Sequence, residues 1–240
     1  MVKKVIVSIV FVLSVVLFSN CGYAEEKGLV GYWKLDESKG EITKDFSGNG
    51  NDGTIYGAVA VAGKIGQALS FDGVNDYVDC GSHSSLDMDT NDFTIEFWAK
   101  TIQVTDSEVV SKRGTGSYYM FRMKSGTIYF QMNDSHSNET IYRKICGCPD
   151  YNDGNWHHWV GVKGSGVEDL HVYKDGVELS GTYDFASSVG DISNSNAVTI
   201  GSRGGVSKWF NGTIDEVRIY KRALSTTEVK NHYKMESQAF

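Results

Sequence analysis

Eight consecutive residues, FTIEFWAK from Phe93 to Lys100, set the first limit on what this chain can fold into. They place Phe93, Ile95, Phe97 and Ala99 on one side and Thr94, Glu96, Trp98 and Lys100 on the other. An apolar residue at every second position is the mark of a half-buried β-strand, whose side chains alternate between faces. The pattern recurs along the chain. LVGYWKL puts Leu29, Trp33 and Leu35 together, and SYYMFRMK and TIYFQMN flank Ser125-Gly126. NWHHWVGVK is followed by DLHVYKDG, where Lys174-Asp175-Gly176 turns the chain into VELSG. The flanking turns are hairpin signals. AVTIG and NGTIDEVRIY complete the series, and outside the N-terminus only STTEVKNHYKM reads as a helix. Ser225 can cap that helix, with Glu228 completing a capping box. Short strands in succession, separated by Gly, Asn and Asp, predict an all-β antiparallel sandwich or barrel with one short C-terminal helix.

The N-terminus is set apart. Lys3 and Lys4 precede an apolar run from Val5 to Phe18, right for a signal-peptide core and short of the ~20 residues a membrane span needs. Gly22-Tyr23-Ala24 offers small residues at the two positions a signal peptidase reads. Residues 1–24 are therefore read as a signal peptide and 25–240 as one domain, ample for a core of its own. Cys21 directly follows the apolar region and leaves a second route open, lipidation at that cysteine, although Asn20 before it fits poorly. Either route places the protein outside the cytoplasm: secreted, periplasmic or at the cell surface. The net charge of −7 grows more acidic without Lys3 and Lys4, and an acidic chain with no basic patch argues against nucleic acid as a partner. Cys80, Cys146 and Cys148 remain, and exported proteins keep disulfides. A bridge between Cys146 and Cys148 would close a very small ring, so the expected disulfide joins Cys80 to one of them.

DFSGNGNDG, from Asp45 to Gly53, fits several patterns. Gly48, Gly50 and Gly53 spell G-x-G-x-x-G, which means dinucleotide binding only between a parallel strand and a helix N-terminus. The residues after Gly53 read as strand and turn. Asp45, Ser47, Asn49 and Gly50 also look like the start of a calcium loop, but the position of an EF-hand's bidentate glutamate holds Tyr56. A hydrogen-bonded Asx turn accounts for the same residues. His157 and His158 are adjacent on a strand, so they point to opposite faces and cannot chelate one ion.

The order of motifs resembles the LamG-like jelly-roll family of the concanavalin A-like lectin/glucanase group. The likeness runs through GYWKLDE, DFSGNGNDGTIYG, GKIGQALSFDGVNDYVD and FTIEFWAK, then DGNWHHWVGV, VYKDGVEL, IGS and FNGTIDEVRIYKRALSTTEV. It implies a two-sheet antiparallel jelly-roll sandwich with the two ends of the domain adjacent. It also implies a structural calcium near the glycine-rich loop. Asp45 and Asn51 would then give side-chain oxygens and Gly48 a carbonyl, with Asp215 as a distant ligand and Asp36 as a weaker candidate. Asp215 alternates with Val217 and Ile219, and a carboxylate on a core-side face is costly unless paired or metal-bound.

Glycoside hydrolases of the same group commonly carry E-x-D-x-x-E, which is absent. The adjacent pairs Glu168-Asp169 and Asp215-Glu216 face opposite ways along a strand. Hydrolysis needs carboxylates roughly 5–9 Å apart across a cleft, which separate strands could still supply. Trp209-Phe210, after SRGGVSK, is the best loop-borne aromatic pair for stacking on a sugar; most other aromatics belong in a core. The expectation is an exported, calcium-stabilised, non-catalytic binding or adhesion module that recognises glycan or a surface protein. The alternatives are a glycan-active enzyme on the same fold or a purely structural envelope protein.

Overall fold

A computed structural model describes residues 26–38, 40–135, 140–166, 169–185 and 190–238. The expected signal peptide and Cys21 lie outside the described residues. In chain order the elements are β1 (Leu29–Trp33), β2 (Ile42–Thr43), β3 (Gly53–Tyr56), β4 (Val59–Ala62), β5 (Gln67–Asp72), β6 (Tyr77–Asp79), β7 (Phe93–Lys100), β8 (Ser107–Lys112) and β9 (Tyr118–Lys124). They continue with β10 (Thr127–Asp134), β11 (Thr140–Gly147), β12 (Trp156–Lys163), β13 (Leu170–Lys174), β14 (Val177–Glu178), β15 (Thr182–Phe185), β16 (Val198–Ile200), β17 (Asn211–Tyr220) and α1 (Thr226–Ser237).

The strands form two antiparallel sheets, as the alternation predicts. An eight-stranded sheet runs β14-β13-β12-β7-β17-β5-β4, with β1 pairing on β17; a nine-stranded sheet runs β15-β11-β10-β9-β8-β16-β6-β3-β2. Their inner faces meet through aromatic contacts such as Phe97 against Phe121 at 4.9 Å and Phe93 against Phe130 at 5.5 Å. Such edge-on and tilted pairs add to the burial itself. Each hairpin closes where the turn residues stand: Ser125 and Gly126 have φ of 46° and 77°, and Asp175 and Gly176 have 53° and 72°, the positive-φ pair that matches strand twist. Ser225 caps α1, with the Glu228 carboxylate reaching back to the Ser225 N–H at 2.8 Å.

Three expectations change. Phe93–Lys100 is buried on both faces rather than half-buried, because α1 and the segment before it cover the outer face of the eight-stranded sheet. Leu224 and Val229 pack there on Val160, Val162, Tyr173 and Tyr220. Second, Asp215 does not share the core face of Val217 and Ile219. The β17 ladder shifts register between Asp215 and Arg218, and Glu216 takes φ of 53°. The bulge puts Ile214 in the core with Val217 and turns Asp215 outward opposite Trp98. Third, Cys80, Cys146 and Cys148 are all free and buried. Cys146 lies on β11 and Cys80 just beyond β6, five positions apart in the sheet order. At ~4.8 Å per strand that is about 24 Å, far beyond the ~7 Å a disulfide can bridge.

Candidate functional site

The outer face of the nine-stranded sheet mixes polar and aromatic side chains where the inner face is apolar. Tyr56 lies opposite Tyr77 across β3 and β6, and Thr54 opposite Asp79. Between them Ile55 and Val78 point into the core. The two tyrosine rings stack at 4.6 Å and 11°. Trp209 leans on Tyr77 at 6.0 Å, so three rings form one wall with Tyr56 exposed at its end. Trp209 arrives on the loop between β16 and β17, which folds back over the sheet. A Cβ on Gly205 would sit 2.8 Å from the Tyr77 ring, and Gly205 has φ of 67°. Only glycine lets that loop lie on the tyrosine.

Beside the wall opens a groove of about 430 Å³, lined by Tyr77, Asp79, Arg113, Asn196, Thr199 and Arg203 among others. Its rim carries Val206, which is 76% exposed. Buried behind it is Glu108 on β8, salt-bridged to Arg113 at 2.8 Å, while Arg113 lies over the Tyr118 ring at 4.1 Å. Burial raises the Glu108 pKa, and the Arg113 and Arg203 charges oppose that shift. Farther along, Asp106 takes Arg122 at 2.5 Å and Lys208 at 2.6 Å, and these partners outweigh its burial to lower its pKa. The cluster is incompletely satisfied: Oε2 of Glu108 and Nε of Arg113 are buried without a hydrogen-bond partner.

The residues singled out from the sequence fall in four places. Trp209 belongs to the aromatic wall. Phe210 does not accompany it, being fully buried in the core against Phe71; successive residues of an extended chain face opposite ways. Asp45 is the hub of its loop. Its Oδ1 accepts the N–H groups of Tyr32 and Ser47 at 3.0 and 2.8 Å, and its Oδ2 accepts Ser47 Oγ and the Asn51 N–H at 2.8 and 2.9 Å. Asn51 turns its side-chain amide to the Val30 carbonyl and Ser85, and Gly48 takes φ of 87° in the same loop. This is Asx-turn geometry, and the loop leads into the short strand β3 rather than a helix.

Asp215 sits elsewhere, under the turn between β4 and β5. Its Oδ2 accepts the Lys64 and Ile65 N–H groups at 2.8 and 3.0 Å. Its Oδ1 is buried without a partner. Burial pushes its pKa up to about 8, with the negative charges of Glu216 and Asp36 adding to the rise. Asp36 grips the same turn through the Gln67 N–H at 2.7 Å. Among the described residues no group of three or more His, Cys, Asp or Glu side chains is placed to hold a metal ion. His157 and His158 diverge as expected: His157 contacts Asp175 at 2.7 Å, and His158 is buried against Glu96 at 2.7 Å.

The sequence profile of the concanavalin A-like lectin/glucanases superfamily matches residues 72–230, well over half of the chain. The chain belongs to this superfamily. A curated relative, the non-toxic nonhemagglutinin of Paraclostridium bifermentans, is 28% identical over 204 residues; the match covers 82% of this chain but only 16% of that much longer protein. Among solved structures, the binding domain of Paraclostridial Mosquitocidal Protein 1 superposes with a TM-score of 0.67 at 19% identity, covering 87% of this chain and 52% of that one. Domain 4 of an extracellular GH43 arabinanase from Geobacillus stearothermophilus, solved with arabinotriose, gives a TM-score of 0.62 at 22% identity, covering 86% and 98%. The binding domain of botulinum neurotoxin serotype G gives 0.65 at 16% identity, covering 88% and 51%. These likenesses establish the jelly-roll fold within the superfamily.

Sequence reading missed Tyr56, Tyr77, Arg113 and Arg203. Two of them left a trace. Tyr56 and Tyr77 stand at the polar positions of otherwise alternating strands, T-I-Y and Y-V-D, and large aromatics on a solvent face are a binding signal. The arginines left none, because their convergence depends on strands and loops distant in sequence.

Proposed function

We propose that the chain is an exported, non-catalytic module that binds glycan in the groove on the outer face of its nine-stranded sheet. The observation that carries this is the Tyr56–Tyr77–Trp209 wall beside a groove of mixed polar side chains. Sugar rings present C–H faces that pack on aromatic rings and hydroxyls that need donors and acceptors, and the groove offers both. The superfamily and the likeness to a domain crystallised with arabinotriose and to toxin binding domains support the reading. The groove's carboxylates favour binding over hydrolysis. Glu108 is tied to Arg113, and Asp79 accepts the Gly81 N–H at 2.8 Å, so neither is a free acid facing a partner base. Export is supported by the N-terminal pattern, with lipidation at Cys21 as its second route, and among the described residues no helix is long and apolar enough to cross a membrane.

A glycan array on residues 25–240 tests this, followed by titration of Tyr77→Ala and Trp209→Ala with the best ligand. Each should bind about tenfold more weakly, while losing no more stability than its ring contacts supply, about 0.5–1.5 kcal/mol per pair. Undiminished binding by both variants would move the site elsewhere.

Calcium remains part of the proposal, at a changed place. The donors gathered on Asp45 suit a carboxylate and oppose a cation, whereas the free Oδ1 of Asp215, beside Asp36, fits one. Asp215 and Asp36 would hold the ion with backbone carbonyls and water, joining β17 to the turn after β4. Calcium at 100-fold excess over its Kd should then stabilise by about 2.7 kcal/mol, and Asp215→Asn should abolish that response. Melting identical in calcium and in chelator would exclude the site.

A further inference from the structure

We infer that the groove selects an anionic sugar, one bearing a carboxylate or sulfate, and that Arg203 is the residue that reads the charge. This rests on the glycan-binding reading above and adds the ligand's chemistry to it.

The argument begins with the arginines around Glu108. Arg113 is committed to that carboxylate at 2.8 Å, and Arg122 to Asp106 at 2.5 Å. Arg203 differs. It lines the groove at the start of the loop over the sheet, and among the described residues its side chain makes no hydrogen bond or ion pair. Its backbone, by contrast, is pinned: the Arg203 N–H donates to the Ser207 carbonyl at 2.8 Å, and the Val206 N–H to the Arg203 carbonyl at 3.1 Å. The guanidinium is thus carried on an ordered turn, near enough for its charge to be felt by Glu108 but bonded to no carboxylate among the described residues. In a protein of net charge −7, the groove is lined by Arg113 and Arg203 against Asp79, with buried Glu108 behind and bonded to Arg113, so Arg203 is the lining cation with no carboxylate bonded to it among the described residues. Guanidinium forks match the two oxygens of a carboxylate or sulfate. Arg113 adds an unpartnered, buried Nε on the same side.

Geometry also fits a ring with an acidic substituent. Tyr77 lines the groove as well as the aromatic wall, with Thr199 and Asn196 along the same groove. A pyranose stacked on the wall would direct one edge into the groove, where hydroxyls meet the amide and hydroxyl groups and an acidic substituent meets Arg203. A neutral sugar could take only ordinary hydrogen bonds from Arg203, which a glutamine amide can also give, and would forgo the charge-assisted pair.

The test uses matched pairs of probes. Trigalacturonate and trimannuronate are each titrated against their methyl esters, and a sulfated carrageenan tetrasaccharide against its desulfated, neutral form, by calorimetry in 20 and 300 mM salt. At low salt at least one anionic probe should bind roughly ten- to a hundredfold more tightly than its neutral partner, with the gap narrowing in high salt. The pair that discriminates names the anion. Arg203→Gln should erase the preference while leaving the neutral partner's affinity and the melting temperature unchanged. Equal binding of every pair by the native protein overturns the inference, as does a preference that survives Arg203→Gln. If neutral probes bind and respond to Trp209→Ala while no anion is preferred, the glycan groove stands and only the charge reading falls. If no probe binds at millimolar concentration, the inference falls, and the array decides the groove.

Discussion

The two sheets carry buried charge on their outer faces in opposite styles. On the eight-stranded sheet, Glu96 is fully buried beneath α1 between two imidazoles: His158 Nε2 at 2.7 Å, and His232 Nδ1 at 3.0 and 3.1 Å from its two oxygens. Arg218 beside it pairs with Glu216 at 2.5 Å and Glu236 at 2.7 Å, and the Trp98 indole donates to Glu236 at 2.6 Å. These charges face one another and α1 closes the top, although His158 Nδ1, Arg218 Nη1 and the nearby Asp215 Oδ1 are also buried without a hydrogen-bond partner among the described residues. On the nine-stranded sheet the cluster around Glu108 is covered only by a loop, keeps unpartnered atoms and leaves Arg203 uncommitted. The difference is one of cover: a network closed under a helix fastens that helix in place, whereas one that opens onto a groove stays within reach of solvent and solutes.

The sharpest way to break this comparison is to remove the central carboxylate of each cluster. Glu96→Ala leaves two imidazoles without their acceptor under α1, and losing one partner of a buried ion network costs about 3–5 kcal/mol. Melting should fall by roughly 10 °C. Glu108→Gln should cost less, about 1–2 kcal/mol, because the amide oxygen can still accept from Arg113 and only the charge assistance is lost. Equal losses would mean that both clusters are structural.

A smaller effect comes from pH. Burial works against a charged His232, but the Glu96 hydrogen bond and charge outweigh it and raise the His232 pKa above its ordinary 6.5. That stabilisation is complete below 6.5 and is lost as pH climbs through the raised value. Glu96 runs the other way. Burial disfavours its charge, the two histidines overcome this, and its pKa falls well below the usual 4.5. Its share is present above 4.5 and is lost as pH drops toward the lowered value. The clasp on α1 should therefore be tightest between about pH 4.5 and 6.5. The difference in melting between the native chain and His232→Gln, tracked from pH 5 to 9, should be largest near pH 6 and shrink above it. A difference independent of pH would show that His232 acts by packing alone.

Smallest on stability is Trp209→Ala, expected to cost about 0.5–1 kcal/mol, the worth of its ring contact with Tyr77. Phe210→Ala, one residue on, should cost about 3–5 kcal/mol as a core truncation. The neighbours separate function from folding if Trp209→Ala alone weakens glycan binding at near-native stability.

Local periodicity carried the fold. Alternation in Phe93–Lys100, the two hairpin turns and the Ser225–Glu228 cap each depend on neighbours a few residues apart, and backbone sterics and side-chain spacing decide such features before any tertiary contact forms. The order of motifs along the chain was enough to name the superfamily. Features that depend on which strands become neighbours were decided only in the folded molecule. The bulge at Glu216 reversed the face of Asp215, moving it from the core to the turn at Lys64 and Ile65. The order of strands in the nine-stranded sheet separated Cys80 from Cys146. Helix α1 buried Glu96, which alternation had placed toward solvent, and a returning loop brought Trp209 to Tyr77 and Arg203 to the groove. One-dimensional spacing fixes the direction of a side chain relative to its own strand. What it meets there is fixed by contacts between segments tens to more than a hundred residues apart, whose pairing is a property of the whole packed structure.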